Sequence, residues 1–71
     1  MAKLPCVSGA RVVKALERLG SVKRRQRGSY VVLRRGSSVC VVPRHREVDQ
    51  GMLGGVLRQA GVSVEELVEN L

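Results

Sequence analysis

The chain has 71 residues, with 13 Lys plus Arg against 6 Asp plus Glu and a formal net charge of +7. A chain this short buries only about 60% of the surface its unfolded state exposes, which predicts a single domain (1–71) whose core, mainly Val and Leu, suffices for one sheet covered by two or three helices. Neither a run of about 18 apolar residues nor the apolar stretch of an export signal occurs, which excludes a membrane-spanning helix and predicts a soluble, cytoplasmic protein.

In chain order, Ser8 is placed to cap a helix in which Val12, Val13, Leu16 and Leu19 share one face, and Gly20 ends it, so the spacing predicts a first helix over 8–19. The segments SVKRRQ, SYVVLRR and SSVCVVP are short, partly β-branched, and separated by Gly-containing turns at Gly28 and at Gly36-Ser37. They read as a three-stranded antiparallel meander, closed by Pro43, which has no N–H to offer a ladder. After the loop RHREVDQG, the residues Met52, Leu53, Val56, Leu57 and Ala60 recur at helical spacing, with Asp49 as N-cap and Gly61 just past the end. Gly54 and Gly55 in that helix each cost about 1 kcal/mol relative to Ala, and a close approach to the sheet or to a partner is one reason for them. Ser63 with Glu66 forms a capping box for a short last helix carrying Val64, Leu67 and Val68. The predicted class is α+β, in the order α-β-β-β-α(-α), with helices on one face of the sheet and the other face open.

Charge is distributed unevenly along these elements. Arg18, Lys23, Arg24, Arg25, Arg27, Arg34, Arg35, Arg44 and Arg46 fall in one stretch without an acid, while Glu47, Asp49, Glu65, Glu66 and Glu69 follow it. A basic run with no matching acids points to a polyanionic partner, nucleic acid above all, and otherwise to a solvated face.

The rest of the inventory excludes several chemistries. Cys6 and Cys40 have neither C-x-x-C spacing nor a disulfide framework and read as reduced thiols. One His with two distant Cys falls short of a zinc set, and Glu47 and Asp49 among so many bases make a poor Mg²⁺ set. There is no phosphate-binding glycine loop and no nucleophile elbow. No cofactor is implied.

Tyr30 is the only aromatic residue. Strand alternation puts Tyr30, Val32 and Arg34 on one face and Val31 and Leu33 on the other, so the aliphatic pair marks the core and Tyr30 belongs to the open side. The alternative is a partly buried ring. His45, the only histidine, lies between Arg44 and Arg46, placed either to hydrogen-bond a phosphate or ribose hydroxyl or to cap the following helix or bind backbone.

Taken together, RRQRGSYVVLRR, then VVPRHRE, then GMLGGVLRQAGVSVEEL resemble the HicA toxin family of bacterial type II toxin-antitoxin systems, from about Val7 to Leu67. The resemblance implies a fold like the double-stranded-RNA-binding domain, cleavage of messenger RNA without a metal, and neutralisation by a HicB-like antitoxin. In that family the residue after Gly-Ser is typically a catalytic histidine; here it is Tyr30. On this reading Tyr30 holds the catalytic position and His45 is a secondary candidate. The phosphate contacts are Lys23, Arg24, Arg25, Arg27, Arg34, Arg35 and Arg44, with Ser29 in the turn beside them. The rival readings are a non-catalytic RNA-binding module and a domain whose basic face docks an acidic protein.

Overall fold

The structure, a computed structural model, describes residues 6–71. Its elements are α1 (Gly9–Arg18), β1 (Val22–Arg27), β2 (Tyr30–Arg35), β3 (Ser38–Pro43), α2 (Gln50–Ala60) and α3 (Val64–Glu69), in the order the sequence predicts. The three strands form one antiparallel sheet in the order β1-β2-β3. Both hairpins close through two-residue loops led by glycine, Gly28 at φ 55° and Gly36 at φ 60°. Left-handed backbone at the first loop position matches the right-handed twist of the flanking strands, and glycine adopts it without a Cβ penalty.

Each helix starts on a side-chain cap. Ser8 accepts the Arg11 N–H at 3.2 Å, Asp49 accepts the Met52 N–H at 2.8 Å, and Ser63 accepts the Glu66 N–H at 3.1 Å while Glu66 accepts the Ser63 N–H at 3.0 Å. These bonds satisfy donors that a helix N-terminus otherwise leaves unpaired. The Ser63 N–H also holds the Glu66 carboxyl below the ordinary carboxylate range. Of the apolar residues expected in α3 only Leu67 is buried; Val64 is partly covered and Val68 is 42% exposed, because a six-residue helix docks along a single stripe.

The core is a single layer between helices and sheet. Val12, Val13, Ala15 and Leu16 from α1 and Leu53, Val56, Leu57 and Ala60 from α2 pack with Val31, Leu33, Cys40 and Val42 from the inner face of the sheet. α2 lies along β3, and α1 reaches β3 and β1. Every residue of β1 is exposed, so the first strand extends the sheet beyond the helices that cover its neighbours.

One crossing closes the fold. Gly9 donates its N–H to the His45 carbonyl at 2.9 Å, and Val7 pairs with Val48 in an isolated bridge beside it. A Cβ on Gly9 would stand 2.0 Å from the Pro43 carbonyl oxygen and 2.9 Å from the Arg44 Cα, so only glycine permits this approach. Gly55 is the opposite case. A Cβ there meets nothing nearer than an Arg58 guanidinium nitrogen at 4.0 Å, so crowding by the sheet does not explain it.

These environments predict opposite responses to the same change. Gly9→Ala forces α1 off Pro43 and lowers stability by about 1–3 kcal/mol, as overpacking does. Gly55→Ala raises it by about 0.5–1 kcal/mol through helix propensity. Urea unfolding monitored by circular dichroism checks both.

Candidate nucleic-acid interface

The strand register assigns each side chain of the sheet to a face, because directly opposed residues of an antiparallel pair point the same way. On the open face the first row is Arg27 and Tyr30, opposite the buried Pro43, the second Arg25, Val32 and Val41, and the third Val22, Arg34 and Val39. Val31 is 2% and Leu33 0% exposed beneath the helices, whereas Tyr30 is 53% exposed. The one aromatic ring therefore stands on the uncovered side, as alternation along β2 predicts.

Its cationic neighbours are not all those expected. Arg27 is directly opposite Tyr30, at a Cβ separation of about 5 Å for such a pair, and Arg25 lies diagonally from it. Arg34, four residues along β2, is about 13 Å away at roughly 3.3 Å per residue, and its Nε–H donates to the Gly36 carbonyl of the next turn. Arg24 is exposed at the point where the β1 register slips between Lys23 and Arg25. That bulge sends Lys23 to the helix side, opposite Leu33, and Val22 to the open side, opposite Arg34.

Arg35 departs from the expectation that it contacts RNA on the open face. It shares the inner side of β2 with Val31 and Leu33, and its guanidinium donates to the Leu19 carbonyl at 3.3 Å and the Gly61 carbonyl at 3.2 Å. It ties together the C-terminal ends of α1 and α2, where a cation is favoured by the helix dipoles.

Ser29 and Arg44 meet at the corner beside Tyr30, because the Arg44 N–H donates to the Ser29 carbonyl. That bond joins the β1–β2 turn to the exit of β3. His45 follows on the surface, and its backbone carbonyl takes the Gly9 N–H, so this residue braces the start of α1. The cap of the following helix is Asp49.

Two halves of the open face differ in character. Around Tyr30 it is cationic, with Arg25 and Arg27, while toward the other end Val22 at 58%, Val39 at 50% and Val41 at 39% exposure surround Arg34. A sheet face with an exposed ring among guanidiniums can hold phosphates by charge-assisted hydrogen bonds and stack a base. Among the described residues no group of three or more His, Cys, Asp or Glu is placed to hold a metal ion. No described helix is long and apolar enough to cross a membrane.

The fold is an α+β domain in which helices cover one face of a three-stranded antiparallel sheet and leave an open, arginine-bearing face. The chain belongs to the HicA toxin family: the family profile described as "HicA toxin of bacterial toxin-antitoxin" matches residues 9–62. Toxins of this family are generally ribonucleases and are paired with an antitoxin. A comparison with individually curated proteins gives no match.

The split between open-face and structural arginines is measurable. Arg25→Glu and Arg27→Glu are expected to weaken binding to single-stranded RNA and to flatten its salt dependence by about 0.7 in logarithmic slope for each phosphate that is no longer neutralised, with the unfolding midpoint unchanged. Arg35→Ala is expected to lower stability by about 1–2 kcal/mol and leave RNA affinity as it was. Fluorescence anisotropy across a salt series, beside thermal unfolding, distinguishes the two.

Proposed function

We propose that the chain is a toxin that binds messenger RNA on the open sheet face, with position 30 as the proton-transfer position of a metal-independent endoribonuclease and a HicB-like antitoxin as its partner. The observation that carries this reading is the placement of Tyr30, exposed on the open face, directly opposite Arg27 and immediately after Ser29 of the turn.

In the reaction, the ribose 2′-oxygen attacks the neighbouring phosphorus, a new O–P bond forms and the bond to the 5′-oxygen of the next nucleotide breaks, leaving a cyclic phosphate. The 2′-hydroxyl proton must be taken up and the departing oxygen must receive one. Arg27 and Arg25 stabilise the charge of the pentacoordinate phosphorus, which is where fixed cations contribute most. The side chain at 30 is placed for the proton. In water an imidazole titrates near about 6.5 and both takes and returns a proton at neutral pH, whereas a phenol titrates near about 10 and mainly donates. The chain with Tyr30 thus grips RNA and cleaves it slowly. His45 is a secondary, assisting candidate, two residues beyond the Pro43 that opposes Tyr30.

The antitoxin in this reading is acidic and covers the same face. Val22, Val39 and Val41 offer it apolar contact around Arg34, and Arg25, Arg27 and Arg34 offer it charge, so it excludes RNA by occupancy.

Purified chain and its Tyr30→His variant, incubated with messenger RNA, test the assignment. The variant is expected to cleave about 10²- to 10⁴-fold faster, the range of a positioned general base, with little change in stability. Its activity should survive a chelator and show a pH limb near about 6–7. If both proteins fold and bind RNA but neither cleaves, position 30 is not catalytic. Tyr30 is then a stacking platform in an RNA-binding module.

A further inference from the structure

Between α1 and β1, on the side of the sheet away from Tyr30, lies a cleft of about 190 Å³. It is lined by Lys14 and Glu17 from α1, Lys23 and Gln26 from β1, and Arg44. Val13 and Val31, both buried core residues, form the floor. The geometry points to a nucleotide subsite here: the cleft accepts one unstacked base of a single-stranded RNA, its phosphate held by Lys14, Lys23 and Arg44 and its edge read by Gln26 and Glu17. This inference rests on the proposal that the chain binds RNA and adds a second contact to it.

Three observations favour a site over a packing gap. Gln26 directly opposes Val31 and Lys23 directly opposes Leu33, so both occupy inner-face positions where an apolar residue would extend the core and roof the floor. An apolar floor is thus left under polar walls. Lys23 reaches this side only because of the bulge at Arg24, and bulges re-aim side chains next to functional sites. Finally, Arg44 is fixed to the turn preceding Tyr30 by its N–H bond to the Ser29 carbonyl, so one strand passing over that turn reaches both the open face and the cleft.

Size and chemistry narrow the ligand. The cleft is smaller than the roughly 300–1,000 Å³ of pockets that take drug-sized molecules, which suits a single base and excludes a duplex. Gln26 both donates and accepts, whereas an ionised Glu17 only accepts, so the pair favours a base bearing an exocyclic amino group. Adenine, cytosine and guanine qualify; uracil offers only an N3–H set between two carbonyl oxygens, which repel a carboxylate, so it fits less well. The subsite would thereby impose a base preference on an otherwise sequence-tolerant grip.

The test is an NMR titration of the full chain with AMP, CMP, GMP, UMP and inorganic phosphate, run beside anisotropy with single-stranded RNA. The amino-bearing nucleotides are expected to shift the amides of Val13, Lys14, Gln26 and Val31, with UMP weaker by roughly five- to tenfold, the low end of what one hydrogen-bonded base edge discriminates. Glu17→Gln, at an exposed helical position, should erase that difference, and Gln26→Leu should close the cleft to all four nucleotides while circular dichroism stays unchanged. Equal binding of the four nucleotides, shifts reproduced by inorganic phosphate alone, or shifts confined to Val32 and Val41 on the open face would each overturn the subsite. If the cleft stays silent while Arg25 and Arg27 still carry salt-sensitive RNA binding, the subsite fails and the proposed function stands. A cleft that takes nucleotides in a chain that binds no RNA would overturn both.

Discussion

The contact on which the rest of this structure depends is the approach of Gly9 to the backbone that leaves β3. Pro43 has no N–H with which to continue a ladder, so the strand stops there and the chain turns across the start of α1. Gly9 fits beneath it because it lacks a Cβ, and the His45 carbonyl takes its N–H. One residue earlier, the Arg44 N–H bonds Ser29 in the first hairpin turn. A few consecutive backbone groups therefore lock a helix start, a strand end and a turn into one corner. Tyr30 and Arg27 are placed by that corner. Their position is fixed by backbone bonds, so the residue at 30 can change without disturbing what holds it.

That separation accounts for how the positive charge is tolerated. Three arginines donate to backbone carbonyls at the ends of elements: Arg35 to Leu19 and Gly61, Arg18 to Asn70, and Arg34 to Gly36. For Arg18 and Arg35 the acceptors lie at helix C-termini, where each cation offsets a negative partial charge and contributes about 0.3–1 kcal/mol. Four of the remaining bases, Lys23, Arg24, Arg25 and Arg27, stand on β1, which is exposed throughout and buries none of them. That strand adds nothing to the buried core, and it is where a polyanion is free to approach.

Much of this was legible in the residues. Caps at Ser8, Asp49 and Ser63, and glycines at the hairpin turns, delimit the elements because each supplies a hydrogen bond or a dihedral that few residues can. The exposure of Tyr30 followed from alternation with Val31 and Leu33. The same alternation places Arg35 on the inner side, a conclusion that charge clustering obscured. The bulge at Arg24 was not legible, because VKRRQR contains no apolar pattern from which a register slip stands out. The cleft was hidden for the same reason, since it depends on Lys23 crossing to the helix side. His45 illustrates a different limit: its sequence neighbours advertise an imidazole, and the fold uses its carbonyl.

The two faces of β1 have different tasks in this scheme. Its outward residues, Arg25 and Arg27, stand beside Tyr30 on a surface that a protein partner can also cover, using the valines at the far end as an apolar footing. Its inward residues, Lys23 and Gln26, line a cleft of about 190 Å³ together with the core valines Val13 and Val31. On the proposed reading, a partner on the open face would displace phosphates from the arginines and leave the cleft uncovered, since the two lie on opposite sides of the sheet. Neutralisation would then require only that the Tyr30 corner be blocked. A base preference set in the proposed cleft would be independent of a partner on the other side of the strand.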